Sequence, residues 1–94
     1  MGIALSGQKT VGSAGTAVQV GTQRIDGPLM IKALETNTGT VAVGNDGGND
    51  VTLANGMRLA AGDSLVFSYV GSLGELWLDA AVNGEGVAWI ALSL

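Results

Sequence analysis

Short apolar runs, cut by glycine and by Asn/Asp pairs, repeat along this chain with the period of two that belongs to strands. In residues 16–20, Val18 and Val20 share one face while Ala17 and Gln19 share the other, and Gly21 closes the run. Residues 29–34 put Leu29, Ile31 and Ala33 on one side and Met30, Lys32 and Leu34 on the other. A lysine between two large apolar side chains marks a half-covered surface, its stem packed and its amine in water. Residues 40–43 form an apolar strand stopped by Gly44, and residues 51–53 read as a further short strand before an Asn55-Gly56 turn. Met57 to Leu59 and then residues 65–70 continue the pattern on either side of an Ala61-Gly62-Asp63 corner. In residues 75–80, Leu76 and Leu78 point inward and leave Trp77 and Asp79 on the opposite face. Asn83-Gly84 is a favoured hairpin turn. Residues 86–92 are apolar on both faces, as in a strand covered on both sides; in so small a domain the second cover can come from another subunit.

The ends of this series are less regular. Residues 23–28 read as a turn in which Pro28 fixes φ ahead of the next strand. At the start, Ile3 and Leu5 lie on one side of a strand that ends near Thr10, and residues 12–15 form a small, flexible loop. Two readings of the first 15 residues stand open. They are an ordinary first strand, or an extended arm lying on a neighbouring subunit, since terminal segments are poorly held unless docked.

Sixteen glycines weigh against helices, each costing about 1 kcal/mol relative to alanine in a helix interior. The expectation is therefore a single all-β domain over residues 1–94, a small β-sandwich, jelly-roll-like fold or β-barrel of about eight short strands. Val-Gly recurs at Val20-Gly21, Val43-Gly44 and Val70-Gly71, but the spacing is irregular and marks strand ends, not a repeat.

Composition sharpens this picture in one respect. The chain is 47% hydrophobic and only 13% charged, against about 25% charged in an ordinary soluble domain. Disorder is excluded, and some apolar surface is left without cover inside one copy, which marks a protein partner. The formal net charge is −4, and the four basic residues, Lys9, Arg24, Lys32 and Arg58, are scattered. Nucleic-acid binding needs clustered cations, and so does an anionic membrane surface; neither is expected. The start of the chain lacks a charged region followed by a long apolar core, so no signal peptide is expected, and no run reaches the length of a membrane span.

Reactive chemistry is sparse. Cysteine and histidine are both absent, which removes thiolate chemistry and the commonest acid–base group and metal ligand. The loop of residues 45–50 carries Asp46 and Asp50, but a calcium loop begun at Asp46 would have Gly48 at its third position and Met57 at its twelfth. The ligand spacing fails, and a solvated hairpin loop is the better reading, with a weak ion site at Asp46 and Asp50 left open. Most carboxylates sit at turn positions (Asp26, Asp46, Asp50, Asp63 and Glu85), where such residues bond their own backbone. No enzyme activity and no cofactor are expected. Of the two tryptophans, Trp89 belongs to the core and Trp77 is the surface candidate, as an interface anchor or as a platform for a sugar.

Five segments carry a likeness beyond this physics: residues 38–44, 51–59, 61–65, 76–80 and 86–91. Together they resemble a family of short β-rich bacteriophage virion proteins, in which a TVYVG strand, a polar loop, a GF-x-L-x-PGES corner and a terminal V-S-W-L-A strand recur. Ala61 stands where that family often has proline, and Met57 where it has an aromatic residue. The resemblance implies a capsid decoration (cement) protein, or a small head- or tail-associated β-barrel, with homotrimers seated on the major capsid protein at the capsid exterior after synthesis in the host cytoplasm. On that reading residues 1–11 are the capsid-contacting arm, and Met30, Leu34 and Trp77, or the final strand, carry the trimer contact. The interface candidates are Ile3, Leu5, Met30, Leu34, Trp77, Ile90 and Leu92. The alternative is a receptor- or carbohydrate-binding module of a tail fibre or spike, built around Trp77.

Overall fold

The computed structural model describes residues 3–46 and 51–93. Among them are eight strands and one short 3-10 turn. The strands are β1 (Ile3–Thr10), β2 (Val18–Gln19), β3 (Arg24–Ala33), β4 (Val41–Gly44), β5 (Met57–Leu59), β6 (Ser64–Ser72), β7 (Trp77–Ala80) and β8 (Gly86–Ser93), and the turn is Leu73–Glu75. They form two four-stranded antiparallel sheets, ordered β1-β8-β3-β6 and β2-β7-β4-β5. The first strand pairs with the last, the second with the seventh, the third with the sixth and the fourth with the fifth. This nesting is that of a long antiparallel ribbon wrapped into a jelly roll. The molecule is a sandwich and not a closed barrel, so β1, β6, β2 and β5 each keep an edge.

The alternation read from sequence places the core. Ile25, Leu29 and Ile31 of β3, Val41 of β4, Leu78 of β7 and Val87 of β8 are sealed between the sheets, joined by Val11 and Leu73. Trp89 is partly buried against this cluster. Strands of the first sheet run to eight, ten and nine residues, whereas those of the second have two to four. The long sheet therefore outruns its cover, and Ile3, on the inward side of β1, is left largely exposed.

Two local expectations change, and the start of the chain takes the first of its two readings, a strand. Residues 51–53 are not a strand; they open a turn in which the Gly56 and Asn55 amides donate to the Thr52 carbonyl, at 2.8 and 3.2 Å. A strand there would have to leave Ala42, which the turn instead covers; Gly56 lies so close that a Cβ would stand 2.9 Å from the Ala42 methyl. Residues 24–28 are not a turn but the start of β3, with two register shifts against β6 on either side of Gly27. These bulges accommodate Pro28, which cannot donate to a ladder, and Asp26, whose φ of 52° is tolerated by a short polar side chain. Finally, Ile3–Thr10 pairs with β8 along its whole length, so these residues are the edge strand of the larger sheet.

One corner ties the sheets and loops together. The Val11 amide donates to the Glu85 carbonyl at 2.8 Å, and the Leu34 amide to the Gly86 carbonyl at 3.1 Å. The buried Asn37 side chain bonds both backbone groups of Gly86, donating at 2.9 Å and accepting at 3.3 Å. The Glu85 carboxylate accepts from the Thr38 and Gly39 amides, at 2.6 and 2.9 Å, and from the Thr38 hydroxyl. These amide bonds hold the Glu85 carboxyl below its ordinary value near 4.5. A Cβ on Gly86 would run into the Lys9 carbonyl oxygen and stand 2.7 Å from the Thr10 Cα.

Two outcomes follow from this corner. Gly86→Ala should cost roughly 2–4 kcal/mol, because the obstacle is backbone and cannot swing aside, and a urea titration reads it directly. Folding lowers the Glu85 pKa, so its contribution to stability is complete above the ordinary glutamate value and is lost as pH falls through the folded one. Glu85→Gln should therefore flatten the decline in urea midpoint below about pH 5, leaving the smaller slope that Asp26 and Glu35, also held low, provide.

Candidate interaction surface

The alternation that sends Leu29, Ile31, Val87 and Ala91 into the core sends their neighbours to the outer face of the β1-β8-β3-β6 sheet. Cross-strand register aligns Ser6, Ile90, Met30 and Val66 in one row, and Gln8, Ala88, Lys32 and Ser64 in the next. Ala4 and Leu92 pair on the other side of the first row. Val66 is 68% exposed, Ile90 54%, Leu92 41% and Met30 38%. With Ala4 and Pro28 they line a shallow open groove of about 340 Å³. In these rows Lys32 is the only charged residue, and Glu35 neutralises it at 2.6 Å. The face spans roughly 19 Å across its strands and 27 Å along them.

The sequence candidates do not all meet here. Met30, Ile90 and Leu92 come together in the middle of the face, and Leu34 lies half-buried at one end of it. Leu5, half-buried, and Ile3 belong to the inward side of β1, opposite Ala91 and Ser93. Trp77 is on the other sheet, half-buried on its outer side across from Gln19 and Gly44. The single surface expected from Met30, Leu34 and Trp77 is thus divided between opposite sides of the sandwich, because β7 joins β4 and not β3. Val66, the most exposed member of the face, was missed. Its signal was its place between Leu65 and Phe67, the two larger residues that turn toward the core.

Several polar groups elsewhere are engaged in structure. At the bulged end of β3, Asp26 accepts from the Arg24 guanidinium at 2.6 Å and from the Tyr69 hydroxyl at 3.0 Å. The Arg24 hydrogen bond holds the Asp26 carboxyl below its usual range, and the bond to Asp26 pushes the Tyr69 hydroxyl up. A carboxylate gripped by two donors is a poor general base. Asp63 accepts from the Ala60 amide within its own turn. Among the described residues, no three acidic side chains gather as a metal-binding group. Asp50, one half of the ion site left open above, lies outside the described residues.

Asp79 is not the solvated partner that a Trp77 sugar platform would use. It is buried, and its Oδ1 accepts from the Gly15 amide at 2.9 Å and the Ala80 amide at 2.8 Å, pinning the loop between β1 and β2. Asp79→Ala should cost about 1–3 kcal/mol and speed hydrogen exchange at the Gly15 amide, which would lose the acceptor that Asp79 supplies. Comparison of the chain with protein-family models and with curated proteins gave no match in either case.

Proposed function

We propose that this chain is a structural subunit of a phage virion, a decoration protein that seats on the outer capsid surface as a homotrimer and adds contact area between neighbouring capsid subunits. One observation carries the reading. Met30, Val66, Ile90 and Leu92 stand uncovered on a four-stranded face whose charged β3 residues, Lys32 at its middle and Arg24 and Asp26 at its bulged end, are neutralised in pairs. A groove without convergent polar groups suits a protein surface better than a small ligand. If half of the roughly 500 Å² of that face is apolar, its burial contributes about 6 kcal/mol per copy. That is of the order of the cost of association alone, so the face needs further contacts beside it. The acidic balance agrees with the exterior of a shell, since a protein facing packaged DNA would be expected to be basic.

The experiment is a mixing test with undecorated capsids. Saturable binding and a higher temperature of thermal rupture are expected, because a ligand of the native shell stabilises it by mass action. Absence of both binding and shift overturns the reading.

A further inference from the structure

The outer face of the large sheet and its two open edges have one arrangement that satisfies them together. We propose that three copies close into a triangular prism, with the outer faces of β1-β8-β3-β6 forming a shared core and β1 of each copy lying along β6 of the next. This rests on the homo-oligomeric reading above and deepens it by assigning the contact.

Width selects the number. Four strands about 4.8 Å apart make a side of roughly 19 Å, and a triangle of that side sets each sheet about 5.5 Å from the axis. That is half the ~10 Å at which packed sheets normally stand. Two copies face to face would match that spacing and leave both long edges open. Four copies would stand about 10 Å from their axis, around an empty centre.

Side-chain size follows the same plan. The large residues Met30, Ile90 and Leu92 lie on the two middle strands, which pass nearest the axis. The edge strands meet at sharp corners, where bulk is crowded, and they present small groups, Ala4 and Ser6 on β1 and Ser64 on β6, beside the larger Gln8 and Val66. Each Lys32 brings its own Glu35, so no net charge enters the core.

The edges are compatible in direction and in free hydrogen-bonding groups. Every neighbour in β1-β8-β3-β6 is antiparallel, so β1 and β6 run oppositely, and rotation about an axis along the strands sets β6 antiparallel to the next β1. The Val11 amide faces Glu85, so by alternation the backbone groups of Ala4, Ser6 and Gln8 point away from β8. The Ala33 amide faces Asp63, which likewise turns those of Ser64 and Val66 away from β3. Neither β1 nor the flat part of β6 carries a proline, and Lys9 is the only charge on the two strands, so the usual protections of an exposed edge are thin.

Light scattering should give three times the 9.4 kDa chain mass. Ile90→Lys should reduce the mass threefold while circular dichroism keeps its β signal, and Met57→Lys, exposed on the other sheet, should leave it unchanged. Val66→Lys serves as the second face variant if Ile90→Lys does not fold. In the wild type, the amides of Ser6, Gln8 and Val66 should exchange at least roughly tenfold more slowly than in the dissociated variant. A single or double mass for the wild type, or a threefold mass that survives both lysine variants, overturns the proposal. So does a trimer whose Ser6 and Val66 amides exchange freely. A monomer that still raised the rupture temperature of capsids would remove this inference alone; a trimer that ignored capsids would remove only the decoration reading.

Discussion

The two residues Glu85 and Gly86 are where the fold is closed. Through them β8 begins, β1 ends and the loop after β3 is fastened, by a set of short hydrogen bonds from Val11, Leu34, Asn37, Thr38 and Gly39. Without a side chain at position 86, the backbone of β1 can approach β8 closely enough for pairing to run unbroken to Ile3. A buried polar side chain such as Asn37 is costly unless every group is paired, and here both of its ends meet the same residue. The rest of the large sheet is registered from this point.

That register decides what faces water. Because the side-chain period of a strand is two, one fixed pairing commits Val87, Trp89 and Ala91 to the inside and Ala88, Ile90 and Leu92 to the outside. The smaller sheet hides its own outer side, with Gly56 and its turn over Ala42 and the loop near Gly15 tied to Asp79. The larger sheet has no such covering loop among the described residues. The two sides of the sandwich thus differ in kind, one finished by the chain itself and the other left apolar.

Most of this was legible in the residues. Alternation placed the inward set of β3, the inward Leu76 and Leu78, and the doubly apolar β8, whose uncovered side proved to be the candidate surface. Strand order was not legible, since periodicity says which way a side chain points and not which strand lies beside it. Trp77 was therefore grouped with Met30, from which the sandwich separates it. Residues 24–28 were misread because Asp26, Gly27 and Pro28 have turn composition, yet a bulged strand can use the same three. Residues 51–53 were misread because Val51 is apolar for burial under a turn and not for a ladder. The low charge fraction correctly signalled uncovered apolar surface, but only the register could say where.

The nesting of the strands carries a temporal consequence. β8, which follows the other seven strands along the chain, sits between the first strand and the third. Until β8 is in place, β1 has no neighbour in its sheet and β3 has one bare flank, with partners such as Ile3 and Ser93 far apart in sequence. Such distant pairings form slowly. A folding copy therefore keeps its largest sheet split in two until β8 arrives, and the docking of that strand is the event that lets it zip shut.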